Sequence, residues 1–239
     1  MLVSIFRAIF LAHRISRLAP HPAPRRGPRL DPRGLITEKN KKMFTQLRLV
    51  ATKKLSSVRH LSFTYPAPRT LNEVVKLELF AEEKPEKIRE IWNEYHENRD
   101  DAIGSFLSPA DHTAIQERGK QKNMFVFPVL RDDGHFQMLS QVHGKHVVLT
   151  MLDEYRLNGA NAQPWLSLTF YDELVEKKDL VLVRGDVLVP QLSLEEGERL
   201  WGNVRHFYLN EPEQVDMFNN RPREFDIEAH LARDFATLV

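Results

Sequence analysis

The segment FNNRPREFD, residues 218–226, concentrates side chains that could form a functional site. It combines two arginines, two asparagines and two carboxylates with a proline and two phenylalanines. Arginine and aromatic side chains often carry the binding energy of protein interfaces, so this composition suits the docking of a partner. As a structural alternative, Pro222 fixes a turn, Phe218 and Phe225 fold inward on either side of it, and an arginine pairs with Glu224 or Asp226. The sequence leaves both interpretations open.

No other cluster of residue types has the spacing of a catalytic constellation. Neither GxxxxGK[ST] nor GxGxxG occurs, which excludes nucleotide binding by those phosphate loops. Ser140 and Ser167, near predicted strands, lack the glycines of a nucleophile elbow. The chain contains no cysteine, which excludes disulfides, thiolate zinc sites and cysteine nucleophiles. We therefore expect that the protein is not an enzyme and holds no cofactor.

Histidines and aspartates near predicted turns are the remaining candidates for chemistry. Asp132, Asp133 and His135 bracket a hairpin turn, where Asp and Gly are common for reasons of backbone geometry, so no metal site is expected. An atypical enzyme site on the concave face of the sheet would need a pocket with convergent polar groups. Its candidate residues are His143, His146 and Tyr155.

Residues 1–60 differ in charge from the rest of the chain. They hold fourteen of the 34 basic side chains but only two of the 33 acidic ones, which leaves 20 basic and 31 acidic side chains in residues 61–239. Residues 1–18 form an amphipathic, arginine-bearing and acid-free helix pattern, and prolines follow it. Such an N-terminus is typical of a mitochondrial transit peptide. We expect residues 1–60 to be a transit peptide and a disordered basic linker, and the protein to reach the mitochondrial matrix.

The basic segment from residue 33 to residue 60 allows a second interpretation, a mitochondrial nucleic-acid-binding protein. Its KNKK and ATKK clusters could contact phosphates without a folded structure. Aromatic side chains for base stacking are sparse between the basic ones, which favours the transit peptide. No apolar run reaches the roughly 20 residues of a membrane-spanning helix, so membrane insertion is not expected.

Helix signals lie toward both ends of residues 61–239. A capping box at Thr70 begins a short helix, and apolar residues spaced i, i+3, i+4 and i+7 predict another helix over residues 85–96. Ser108 and Ser193 are the expected N-caps of two further helices. Gly119 is the expected end of the helix that Ser108 begins.

The middle of the chain changes to short runs rich in Val, Phe, Leu and Thr. Predicted strands are NMFVFPVL, HFQMLSQVHG, KHVVLTMLDEY, PWLSLTFY and, after a short helix in TFYDELVEKK, DLVLVRGDVLV. Strands joined so tightly must be antiparallel, because a parallel return needs about a dozen residues or more. The RGD triplet at 184–186 lies inside a predicted strand, so no adhesion function is expected. We predict one α+β domain over residues 61–239, with helices at both chain ends packed on a largely antiparallel β-sheet.

Several of these segments together resemble the assembly factor one family of the mitochondrial ATP synthase catalytic sector. The resemblance covers roughly residues 66–230, in order. It includes Pro68–Leu71, the helix residues Ile91, Trp92 and Tyr95, the strands FVFPVL and LVLVRGD, Tyr171–Leu174 and Phe207–Tyr208. The stretch FNNRPREF, residues 218–225, is similar to the family's most recognisable sequence, in which an Arg-Pro pair lies between two phenylalanines.

The resemblance implies a matrix chaperone that binds the unassembled β subunit of the ATP synthase catalytic sector, prevents its aggregation and hands it to the α subunit. A free subunit exposes apolar surface meant for its neighbour, and such patches invite aggregation. A chaperone that must let go needs an exchangeable interface and no fuel, in agreement with the absent phosphate loops. We expect a monomer without nucleic-acid partners. Its expected β-subunit contacts are Phe218, Asn219, Arg221, Pro222 and Phe225.

Overall fold

The computed structural model describes residues 68–131 and 134–235. The predicted transit peptide and linker, the basic segment from residue 33 to residue 60, Asp132 and Asp133 lie outside the described residues. The described part of the chain is a single antiparallel sheet with helices packed on it, which confirms the predicted α+β class.

The secondary structure runs in the following order. The described chain begins with α1 (Leu71–Val74), α2 (Leu77–Glu82), α3 (Pro85–Glu97), β1 (Ala102–Leu107) and α4 (Pro109–Gln121). It continues with β2 (Met124–Arg131), β3 (Gly134–His143), β4 (His146–Met151), α5 (Leu152–Asn158), a 3₁₀ turn (Gly159–Asn161) and β5 (Leu166–Tyr171). The last elements are α6 (Val175–Lys178), β6 (Val181–Val187), α7 (Leu194–Leu209), α8 (Pro212–Asn220) and α9 (Ile227–Leu231).

The six strands lie in the order β1-β6-β5-β4-β3-β2, and every neighbouring pair is antiparallel. Strands β2 to β6 follow one another in space as in sequence, and their antiparallel pairing confirms the predicted, largely antiparallel sheet. Strand β1 is the exception, because helix α4 carries the chain from β1 at one edge to β2 at the other. The two edges of the sheet are therefore β1 and β2.

Two apolar layers hold the helices to the sheet. One contains Ile115 of α4 and Phe207 of α7, and the other contains Trp92 of α3. Neighbouring residues of β6 contribute to different layers, with Val183 in the first and Leu182 in the second. This alternation is the two-residue period of a strand that is covered on both faces.

The predicted helix starts are confirmed. The Ser108 hydroxyl accepts a hydrogen bond from the Asp111 amide at 3.1 Å, and the Ser193 hydroxyl accepts one from the Glu196 amide at the same distance. The amide of Thr70 donates to the Glu73 carboxylate at 2.6 Å. Such caps satisfy amides that have no partner in the first turn of a helix.

Three local predictions are wrong. Helix α4 continues past Gly119, whose missing Cβ lets the helix approach β3; an added Cβ would lie 2.4 Å from Val142 Cγ1. The strand predicted to include MLDEY ends at Met151, and α5 begins with buried Leu152. The first helix, which was expected within PRTLNEVVKLELF, residues 68–80, is divided at Val75 into α1 and α2. In addition, the sequence did not predict strand β1.

Candidate functional site

The segment FNNRPREF comprises the end of α8 and the turn that leads to α9, beside the edge strand β2. Helix α8 ends at Asn220, and Arg221 leaves the helical conformation with φ −128° and ψ 54°. Pro222 explains this end, since a proline disfavours the helical conformation of the residue before it. The turn directs the chain back so that both ends of the segment reach the sheet.

The two phenylalanines of the segment are core residues. Phe218 and Phe225 are 8% and 5% exposed, and their ring centroids are 5.4 Å apart. Both rings contact Phe125 of β2 edge-to-face, with centroid distances of 5.4 Å and 5.8 Å. Such arrangements stabilise aromatic pairs beyond the burial of their surface. The protein itself therefore covers the rings of both predicted contact residues.

Asn219 binds the backbone of the sheet edge. Its Nδ2 donates to the carbonyl oxygens of Met124 at 2.7 Å and Val215 at 2.8 Å. Its Oδ1 accepts from the Met124 amide at 3.2 Å. A carboxamide offers one donor group and one acceptor, as a peptide unit does. The Asn219 side chain thus occupies the place that a neighbouring strand would take at Met124.

His230 of α9 binds the same edge two residues further along. Its Nε2 lies 2.9 Å from the carbonyl oxygen of Val126, so Nε2 carries the proton and donates it. Burial lowers the pKa of His230 to about 4, so the ring is neutral near pH 7. Sequence analysis missed this residue, because its partner is 104 positions away and no local pattern marks it.

These contacts fall on the outward-facing groups of β2. A hydrogen bond from the Val142 amide to the Asn123 carbonyl shows that odd-numbered residues of β2 pair with β3. Hydrogen bonding alternates along an antiparallel pair, so Met124, Val126 and Pro128 face outward. Met124 and Val126 are bound by Asn219 and His230, and Pro128 has no amide hydrogen. The C-terminal helices therefore cover the β2 edge at Met124 and Val126, whereas Leu130, the last outward-facing residue of β2, is 55% exposed.

Arg221 lies on the surface of these C-terminal helices. Its side chain is 38% exposed and pairs with Asp216 at 2.9 Å, Glu224 at 3.0 Å and also Glu213. Hydrogen bonds from Asn220, Lys122 and Arg221 lower the pKa of Asp216 to about 2. Among the five predicted contact residues, Arg221 is the one whose charged group faces solvent.

The residues considered for an atypical enzyme site lie at the β3–β4 turn and on α5. His143 and His146 face each other across the β3–β4 turn, and burial lowers the pKa of both. Tyr155 of α5 instead accepts a hydrogen bond from Gln141 at 3.5 Å. In residues 68–131 and 134–235, no group of three or more His, Asp or Glu could hold a metal ion. No helix within these ranges is both long and apolar enough to cross a membrane.

A second polar cluster fastens α3 to β6. Arg184 is fully buried and donates to the Asp186 carboxylate at 2.7 Å and 3.0 Å and to His96 Nε2 at 3.1 Å. His96 Nδ1 donates to the Trp92 carbonyl at 2.8 Å, and burial lowers the pKa of His96 to about 3. The arginine of the RGD triplet is therefore held inside the protein.

These features define an α+β protein in which the most distinctive sequence segment covers part of one edge of an antiparallel sheet. The family model described as ATP11 protein matches residues 31–231. The chain belongs to the ATP11 protein family, and this match confirms the resemblance found in the sequence.

The chain is also similar to curated proteins named ATP synthase mitochondrial F1 complex assembly factor 1. Over 168 residues, 69% of this chain, it is 26% identical to the protein of Danio rerio, 27% to that of Mus musculus and 26% to that of Homo sapiens. The matched regions are 55%, 52% and 51% of those three proteins. The chain thus spans about half the length of the curated relatives it matches.

Proposed function

We propose that this protein is an assembly factor of the mitochondrial ATP synthase. It binds the unassembled β subunit of the F1 sector in the matrix, prevents its aggregation and hands it to the α subunit. The observation that carries the proposal is the match of residues 31–231 to the ATP11 family, together with the name of the curated relatives. Under this proposal the protein acts as a monomer and without catalysis.

Release by the α subunit requires only competition for the same surface. An interface of modest area exchanges readily, whereas obligate subunit interfaces are larger and more apolar. The sequence contains neither of the two common phosphate-loop patterns, which is compatible with exchange that uses no nucleotide.

Arg221 is the residue of FNNRPREF that we assign to contact with the β subunit. The other four predicted contact residues position Arg221 on the surface. The two phenylalanines and Asn219 bind β2, and Pro222 ends α8. Arginine at an interface can pair with a partner carboxylate through two parallel hydrogen bonds. The pairs with Glu213 and Glu224 are exposed and can exchange for a partner's carboxylate.

Residues 1–60 are assigned to a transit peptide and linker on their charge and amphipathic pattern. A fusion of these residues to a fluorescent protein should accumulate in mitochondria. A cytosolic signal would contradict the assignment.

An aggregation assay with purified protein and isolated β subunit tests the main proposal. We expect the purified protein to keep isolated β subunit soluble at concentrations where it otherwise aggregates, and addition of the α subunit to release it. An affinity capture from matrix extract should enrich the β subunit over the α subunit. Aggregation of the β subunit at an unchanged rate would refute the proposal.

A further inference from the structure

The second edge of the sheet, strand β1, differs from the partly covered β2 edge. The Val187 amide donates to the Asp101 carbonyl at 2.9 Å, so Asp101 and every second residue after it pair with β6. The backbone groups of Ala102, Gly104 and Phe106 therefore point away from the sheet, but Ala102 is buried, so the accessible outward groups are those of Gly104 and Phe106. Within the described residues, no backbone hydrogen bond reaches these outward groups.

Gly104 shows that this edge is accessible. Helix α3 occupies the place of its missing side chain, since an added Cβ would lie 2.5 Å from His96 Nδ1. Gly104 is nevertheless partly exposed, and it has only backbone atoms to expose. Its exposed atoms thus lie along the open edge of β1 rather than under the helix.

At the end of the same edge lies a cation that has no carboxylate partner among residues 68–131 and 134–235. The guanidinium of Arg89, on α3, lies over the Phe106 ring at 5.1 Å from its centroid. Its Nε is buried and has no hydrogen-bond partner in the described part of the chain. An unpaired donor is unfavourable in a folded protein, so binding of a carboxylate that pairs with this guanidinium is favoured.

We infer that β1 receives an extended segment of the client polypeptide as a seventh strand, with an acidic residue of that segment bound to Arg89. This inference rests on the proposed function, in which the client is the unassembled β subunit. Backbone hydrogen bonds to Gly104 and Phe106 supply the affinity, and the carboxylate at Arg89 fixes the position of the added strand. The charge of Arg89 is what favours an acidic segment over a neutral one.

Such an interface suits a chaperone that must release its client. Pairing along one short strand involves two accessible outward-facing residues, and the client regains those hydrogen bonds when it assembles with its proper neighbour. The C-terminal helices and Pro128 interrupt the β2 edge, so we assign the added strand to β1.

Residue-resolved hydrogen exchange by NMR tests the inference on the unmodified protein. In the free monomer the amides of Gly104 and Phe106 should exchange faster than those of Ile103 and Ser105. Purified β subunit should slow the two outward amides at least about tenfold. Capture of the β subunit with unchanged exchange at these amides would overturn the inference and leave the proposed function intact.

Other outcomes are equally decisive. Protection of the amides of Gly104 and Phe106 in the free protein would mean that the edge is already occupied, by a second copy if sedimentation shows a dimer, or by another part of this chain if it shows a monomer. Either result overturns the inference. Failure to bind the β subunit at all would overturn the proposed function, and with it this inference.

A charge reversal tests the role of Arg89 separately. Arg89→Glu should weaken β-subunit binding about tenfold or more, the loss of one strong contact, whereas Arg89→Lys should retain part of the affinity. The matched control is Arg199→Glu on α7, an exposed arginine that pairs with Glu195 at 3.2 Å. Melting temperatures identify variants that are merely unfolded. Equal effects of the two reversals in folded protein would show that Arg89 does not bind the client.

Discussion

Replacing Asn219 with alanine tests whether its side chain covers the β2 edge at Met124. The change removes the hydrogen bonds to the amide and carbonyl of Met124 at 3.2 Å and 2.7 Å, and a third bond to Val215 within α8. A typical intramolecular hydrogen bond contributes about 1 kcal/mol net, so the two bonds to Met124 predict a loss of about 2 kcal/mol. In a protein of this size, that loss should lower the melting temperature by about 4–8 °C.

Urea unfolding gives the free energy of unfolding of each variant, provided that two spectroscopic probes show the same two-state transition. The thermal transition is measured in parallel. The control is the next residue, because Asn220→Ala removes a single exposed hydrogen bond to Asp216 at 2.9 Å. A surface substitution of this kind should change stability by less than about 0.5 kcal/mol. If Asn219→Ala destabilised the protein no more than Asn220→Ala, the carboxamide would not be what holds α8 to the sheet.

Three further predictions concern charge. Arg221→Ala should lower the melting temperature only slightly, because its ion pairs are exposed, and the decrease should be smaller in high salt. The same change should weaken β-subunit capture. A large loss of stability without loss of capture would assign Arg221 to the fold alone. Asp186→Ala leaves the buried Arg184 guanidinium without its carboxylate and should lower the free energy of unfolding in urea by about 3 kcal/mol. The control is Asp101→Ala, because Asp101 pairs with Arg99 and is more exposed than Asp186. An equal loss of unfolding free energy in the two variants would refute this reasoning. The pKa of His230 is lowered to about 4 against 6.5 for the unfolded chain, so the unfolded state binds the proton first as pH falls from 7 to 5. Its share of the stability loss should be about 2 kcal/mol, and His230→Gln should remove that share; an unchanged pH slope would contradict it.

Local sequence patterns were sufficient to predict several elements of the fold. Ser108 and Ser193 each cap a helix through a residue three positions away, and such short-range geometry is encoded in the segment itself. The antiparallel pairing of β2, β3 and β4 followed from their short connections, whereas the strand order did not. The inward position of Phe218 and Phe225 could also be expected, because Pro222 fixes the turn between them.

Long-range contacts decided the rest. Strand β1 was not predicted because its partner β6 follows about 80 residues later. In addition, its central Gly104 leaves room for His96 of α3, and glycine does not favour a strand. Gly119 misled in the same way, since it permits close packing on Val142 rather than ending a helix. Which edge of the sheet is partly covered, and which is open, depends on Asn219 and His230 meeting β2 from positions 95 and 104 residues away. A hydrogen bond between distant residues leaves no periodic mark in the sequence, so only the tertiary structure could show it.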